Sequence, residues 1–278
     1  MTLRRVTKHT CLLIVGILLA SCGSNEVRDS APESGSASIP NLPGDAVPRP
    51  EPRSRYGNGP VYEVLGKRYV VMNSGSGFKQ RGVASWYGKK FHNKMTSMQE
   101  PYDMYAMTAA HKTLPLPSYV RVRNLSNNKS VVVRVNDRGP FVDNRIIDLS
   151  YSAALKLDMV RDGTSLVEIE VVGFGKPSGD RPVRRSVDPG NTSPPPATSS
   201  KHAIYVQVGA FGSRENASRR LGALKSSGIG TAFVVKDTSS NPVLYRVRIG
   251  PIKDVVQYDI LVEELENLGI SDPYLINE

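Results

Sequence analysis

Through the middle of the chain apolar and polar residues alternate in short runs, each bounded by turn-forming residues. Val83 to Tyr87, Met104 to Ala109, Tyr119 to Val122, Val131 to Val135 and Leu166 to Val172 read as strands. One helix is predicted from Ser150, as N-cap, through Ala153, Ala154 and Leu157. Short strands at this spacing with a single helix predict a small β-barrel over residues 81–175. A different rhythm starts at Ala203. Ile204 to Val208 is a strand, and Ser213 to Ser227 is a helix with Ala217, Leu221 and Leu224 on one face and Gly228 as its stop. Strands follow at Thr231 to Lys236 and Val243 to Ile249. A second helix then carries Val255, Tyr258, Val262 and Leu265 in one stripe and stops at Gly269, before a last strand at Tyr274 to Ile276. The fold class is therefore mainly β followed by α+β, the second unit being a βαββαβ sheet with helices on one face over residues 203–278.

The flanking stretches lack this patterning. Residues 22–80 are rich in Ser, Pro and Gly, which predicts a flexible tether, interrupted near 61–72 by two β-prone runs about Gly66-Lys67 that suggest a hairpin. Residues 176–202 contain Pro194-Pro195-Pro196 and little that can be buried, so they read as a second linker. At the start, Arg4, Arg5 and Lys8 precede the apolar run Cys11 to Ala20 and then Ser21-Cys22, which makes residues 1–21 a secretory signal. The run is about half the ~20 residues that span a bilayer. Leu19-Ala20-Ser21-Cys22 resembles the lipobox of bacterial lipoproteins, which implies lipid on Cys22; an ordinary signal with a chance cysteine is the alternative. Gly23 and Ser24 stand where an inner-membrane retention signal would need Asp, so an outer-membrane lipoprotein facing the periplasm is expected.

Composition removes several classes of function. The formal charge of +10 would suit nucleic acid in a cytosolic protein, but the signal excludes that partner, and a cationic protein among anionic envelope polymers is the better reading. Cys11 and Cys22 are the only cysteines, and removal of the signal leaves no pair for a disulfide. Four histidines without metal-ligand spacing give no reason to expect a metal or any other cofactor.

Candidate chemistry lies in the barrel. Asp137 follows the alternating Val131, Val133 and Val135 and opens the Arg138-Gly139-Pro140 turn, a place from which a carboxylate can face a groove. Read alone, it is equally a turn cap or a partner of Arg138. Glu100 reads as a surface carboxylate, Asp148 as a structural hydrogen-bonding group near the helix start, and His111 as a core or loop histidine. Trp86, Tyr87 and Phe91 either stack on sugar rings or fill the core; Trp86 or Tyr87 is expected to line a groove and Phe91 to be core.

Several blocks in order carry a resemblance. Gly82-Val83-Ala84-Ser85-Trp86-Tyr87-Gly88, Tyr102-Asp103, Thr108-Ala109-Ala110-His111, Thr113-Leu114-Pro115, Val135-Asn136-Asp137-Arg138-Gly139-Pro140-Phe141 and Arg145-Ile146-Ile147-Asp148-Leu149-Ser150 resemble the rare lipoprotein A (RlpA) family. The resemblance implies a double-psi β-barrel and lytic transglycosylation of peptidoglycan, with Asp137 as the acid and Glu100 and His111 as its partners. In that chemistry the sugar's own 6-hydroxyl attacks the anomeric carbon, so one acid/base group suffices. The family pattern Thr-Ala-Asn-Gly-Glu is here Thr96-Ser97-Met98-Gln99-Glu100. Loss of the glycine, the residue that reaches positive φ without penalty, puts the placing of Glu100 in question.

Tyr205-Val206-Gln207-Val208-Gly209-Ala210-Phe211 and Tyr245-Arg246-Val247-Arg248-Ile249-Gly250-Pro251 resemble a SPOR domain, which implies binding to glycan strands stripped of their peptides and enrichment at the division septum. Alternation puts Tyr205, Gln207, Arg246 and Arg248 together on the face away from the helices, where amide, guanidinium and ring suit a sugar bearing hydroxyls and a carboxylate. RNA would use a similar sheet, but residues 203–278 hold eight Lys and Arg against nine Asp and Glu.

Three functions follow. The leading one is a septal transglycosylase on peptide-poor glycan, with divisome proteins as further partners. The second is a non-catalytic wall-binding protein of expansin type, and the third a hydrolase using Glu100 and Asp137 as an acid/base pair.

Overall fold

The computed structural model describes residues 30–32, 42–142, 144–173, 203–270 and 273–277. The signal segment with Cys22 lies outside the described residues, as does the linker over 176–202.

A hairpin comes first, β1 (Val61–Val64) and β2 (Lys67–Val70), turning at Leu65 and Gly66, both at positive φ. The barrel follows: β3 (Lys79–Tyr87), β4 (Thr108–His111), β5 (Ser118–Asn124), β6 (Ser130–Asp137), β7 (Arg145–Ser150), α1 (Tyr151–Lys156) and β8 (Thr164–Val171). Its six strands close in the order β3-β7-β4-β6-β5-β8. Two pairs, β3 with β7 and β4 with β6, run parallel within an otherwise antiparallel cylinder. Alternation builds the core: Val120, Val122, Val131, Val133, Val135, Ile147, Leu149, Val167 and Ile169 point inward and are sealed from solvent. Ser150 caps α1 as predicted, its side chain accepting the Ala153 N–H. The strand expected from Met104 begins later, at Thr108, because the Asp103 carboxylate accepts the Tyr105 N–H and the Ala106 N–H returns to Asp103 O, which holds this stretch in a turn.

The C-terminal unit is β9 (Ile204–Phe211), α2 (Arg214–Ser226), β10 (Ala232–Asp237), β11 (Leu244–Ile252), α3 (Val255–Asn267) and β12 (Tyr274–Asn277), with strand order β10-β11-β9-β12. Ser213 and Asp254 cap the two helices, and the predicted stops Gly228 and Gly269 follow them at positive φ. This unit rests on the barrel. Val83, Leu125 and Leu166 of the barrel join its apolar cluster, and the Arg81 guanidinium donates to Leu275 O at 3.2 Å.

The stretch read as a flexible tether is fastened over residues 42–58. Ala46 N–H donates to Val132 O at 2.9 Å, and the Asp45 carboxylate receives the Val132 N–H at 3.0 Å. Farther on, Ser54 N–H reaches Leu116 O at 2.9 Å, and the Asn58 side chain exchanges two hydrogen bonds with the Leu116 backbone at 2.7 and 2.9 Å. Polar composition signals a lack of burial, but here hydrogen bonds from backbone and polar side chains together attach this strap to the barrel.

Candidate functional site

Asp137 ends β6. Strand alternation turns Val131, Val133 and Val135 into the core and leaves Arg134 half-buried on the other side. The loop 96–100 lies across this strand end. It is closed by Thr96 N–H to Glu100 O at 2.8 Å and Gln99 N–H to Thr96 O at 2.9 Å. From it Ser97 donates twice to Asp137 Oδ1, through its N–H at 2.7 Å and its hydroxyl at 2.6 Å. The Arg138 N–H adds a third donor at 2.8 Å. Asp137 Oδ2 accepts no hydrogen bond among the described residues and is not sealed from solvent. One oxygen is thus fixed and the other open.

Glu100 sits on the same loop. Its carboxylate takes Nη1–H and Nη2–H of Arg134 at 2.7 and 3.0 Å and the Asn136 amide at 3.1 Å. Burial pushes its pKa up, but the Arg134 and Asn136 hydrogen bonds and the Arg134 charge outweigh this and hold it below the usual carboxylate range. Glu100 is an anion at neutral pH. The missing glycine does not displace it: Gln99 itself adopts φ +63°, the left-handed conformation that glycine would supply.

His111 lies on β4, whose Ala110 pairs with Asp137. It is buried, Nδ1 accepts the Thr113 and Leu114 N–H groups at 3.1 and 3.0 Å, and the Phe78 ring stands edge-on against it. Burial, with the Arg138 and Lys112 charges, depresses its pKa to about 3, so the imidazole is neutral. No hydrogen bond joins it to Asp137 or Glu100 among the described residues. Its connection is through the backbone, where His111 O and Leu114 O receive Arg138 Nη1–H at 3.1 and 2.6 Å. His111 therefore shapes the turn that anchors the residue after Asp137.

Of the two expected groove rings, Tyr87 is buried: it stacks on Tyr102 at 4.0 Å, and burial raises its phenol well above the usual range. Trp86 is half-buried and tilted against Tyr151, which leaves it as the ring with a surface. Phe91, expected in the core, is 41% exposed and set edge-on to Tyr87, because the 89–94 segment is a surface turn. Asp148 accepts the Ser85 hydroxyl, the structural role expected of it.

In the C-terminal sheet, Val206 and Val208 face the helices while Tyr205 and Gln207 are half-exposed. Cross-strand partners place Phe233, Arg248, Gln207 and Tyr274 in one row. Tyr205 stands edge-on to Phe233, Arg246 is ion-paired to Asp237 at 2.6 Å, and Arg248, expected on the open face, is only 9% exposed. Sequence reasoning missed Phe233 and Tyr274; their place opposite Arg248 and Gln207 depends on register, which motif reading does not supply. It also missed Ser97, Arg134 and Asn136. The polar Arg134 between inward Val133 and Val135 was the available signal.

Residues 79–169 match the lytic transglycolase double-psi barrel model, and residues 200–277 match the SPOR domain model. The endolytic peptidoglycan transglycosylase RlpA of Vibrio cholerae is 41% identical over 268 residues, covering 95% of this chain and 94% of its own. The protein of that name from Pseudomonas aeruginosa is 36% identical over 324 residues, with the same coverage. That of Neisseria meningitidis is 41% identical over 218 residues, 78% of this chain and 83% of its own. Among solved structures, apo expansin from Clavibacter michiganensis aligns over 47% of this chain and 56% of its own at 16% identity with a TM-score of 0.27, and carries no functional argument. With two domain models matched in order and relatives aligned almost from end to end, the chain belongs to the RlpA family.

Proposed function

We propose that this chain is a lytic transglycosylase that cleaves glycan strands of peptidoglycan from within, with Asp137 as its acid/base group. The observation that carries the reading is the Asp137 carboxyl, with three donors on Oδ1 and none on Oδ2. A proton on this group belongs on Oδ2, the oxygen that meets substrate. In the reaction Oδ2 gives its proton to the glycosidic oxygen as the bond from C1 of the muramyl residue breaks. The same carboxylate then accepts the proton of the 6-hydroxyl as that oxygen bonds to C1. No water is consumed, and the product carries a 1,6-anhydro end. Glu100, held as an anion, stabilises the positive charge that develops at C1.

Peptide-poor strands are the substrate, gathered by the sheet row Phe233, Arg248, Gln207 and Tyr274. Cys22 carries lipid that anchors the chain to the outer membrane, facing the periplasm. Enrichment at the septum, beside divisome proteins, places cleavage where daughter cells separate. A glycan-binding domain on the same chain raises the local concentration of a weakly held substrate.

The test is product analysis on purified peptide-free strands with Asp137→Asn alongside. Anhydro-ended fragments lost in the variant support the proposal. Reducing-end products would instead indicate a hydrolase, and intact strands that remain bound would indicate a wall-binding protein.

A further inference from the structure

The strap over residues 42–58 brings a third carboxylate to the site. Glu51 accepts Arg134 Nε–H at 3.0 Å and Nη2–H at 2.8 Å, while Glu100 takes Nη1–H and Nη2–H on the adjoining edge. Both forks of one guanidinium are therefore filled. The Tyr119 hydroxyl also donates to Glu51, whose pKa is held at about 2, chiefly by the Arg134 hydrogen bond. The side chains of Glu51 and Arg134 are 17% and 16% exposed, whereas that of Glu100 is 39% exposed. Glu51 is thus the inner end of the chain and Glu100 the end that opens outward. Among the described residues the remaining charged group against Glu51 is Arg49, 70% exposed and touching one oxygen at 3.4 Å.

Charge bookkeeping makes the arrangement functional. Arg134 and Glu100 alone form a neutral pair. Arg134 between two carboxylates leaves a net negative charge, and its open member is Glu100. A bidentate hold on each edge also fixes the guanidinium plane, so Glu100 is oriented by a group that cannot turn.

We infer that Glu51 is a positioning residue for the transglycosylase site: it locks Arg134 in place and offsets its charge, so that Glu100 meets the substrate as an oriented anion. This rests on the role proposed above for Glu100. The catalytic unit then begins in the strap rather than at the first barrel strand. No composition rule marks Glu51, which stands among prolines and arginines in Pro50-Glu51-Pro52-Arg53.

The test uses the full chain with Glu51→Gln, which keeps an acceptor and removes the charge, and Glu51→Asp as the conservative variant. Two readouts are taken: kcat and KM on peptide-free strands, and titration of the Glu100 carboxyl by carbon NMR. In Glu51→Gln kcat falls roughly tenfold with KM within about twofold, the scale of one unscreened charge acting on a cationic transition state. The Glu100 carboxyl titrates at lower pH, because the neighbouring negative charge that opposes its ionisation is gone. Glu51→Asp recovers part of kcat. Unchanged kcat and unchanged titration overturn the inference. So does a loss of activity that only tracks a lower melting temperature while Glu100 titrates as in the parent. If the parent itself makes no products, the enzymatic reading fails, and the titration alone decides whether Glu51 sets the state of Glu100.

Discussion

Gln99 occupies the left-handed region at φ +63° in the loop that carries Ser97 and Glu100, so Gln99→Gly is a direct probe of how that loop is held. A residue with a Cβ in this conformation costs roughly 1–2 kcal/mol, which glycine would not incur. Glycine also gives the unfolded chain more freedom, at a cost of about 0.5–1 kcal/mol. The difference predicts a net stabilisation of about 0.5–1 kcal/mol, or about 2–6 °C in the melting temperature of a domain of this size. The control is Gln99→Val, whose β-branched side chain tolerates positive φ least and which should destabilise by more than about 1 kcal/mol. Thermal and urea unfolding of the full chain measure both. Activity of Gln99→Gly should stay within about twofold, because the hydrogen bonds from Ser97 and to Glu100 come from other residues of the loop. Destabilisation by glycine, or indifference to valine, would refute the view that Gln99 is held under strain to keep Glu100 in place.

Ser97→Ala removes one of three donors to Asp137 Oδ1. Loss of about 1 kcal/mol of orientation predicts a roughly fivefold fall in kcat with little change in KM, read by steady-state kinetics. Glu168, 6% exposed, is held at a pKa of about 2, where burial opposes ionisation but the Arg123, Arg81 and Lys79 contacts outweigh it. A depressed carboxyl stabilises the fold above its unfolded value and loses that contribution as pH falls through the folded one. Glu168→Gln should therefore cost up to about 3 kcal/mol at pH 7 and little near pH 2, as urea unfolding at the two pH values would measure. Tyr274→Ala, which removes a ring 53% exposed at the end of the sheet row, should weaken binding to peptide-free glycan roughly three- to tenfold in a pull-down titration without altering the barrel's kcat.

Legibility in the sequence followed the reach of each signal. Strand alternation is local, and it located five of the six barrel strands but not β7, while capping and stop residues located the helix ends at Ser150, Gly228 and Gly269. The Asp137 turn was readable because a carboxylate after an inward-facing valine series has few other places to go. What failed was long-range. Glu51 and Arg134 are 83 residues apart, and nothing in either segment announces the other. Tyr87 and Trp86 are adjacent, and which of them is buried depends on Tyr102 packing against one, a tertiary fact. The strap was misjudged as flexible because its attachments are hydrogen bonds to barrel backbone, invisible to a reading based on apolar burial. His111 illustrates a third limit: read alone it is a core or loop histidine, and only the resemblance made it a site partner. Its neutral state follows from burial and the Arg138 and Lys112 charges, and its service to the 111–114 turn from hydrogen bonds, all of which only coordinates reveal.

Cleavage by Asp137 without water leaves a distinctive product. Mass spectrometry of the products from peptide-free strands, run in isotopically labelled water with the full chain and with Asp137→Asn, tests it most directly. Anhydro-ended fragments that incorporate no label and are absent from the variant are expected. Reducing ends carrying the label, or cleavage that survives Asp137→Asn, would contradict it.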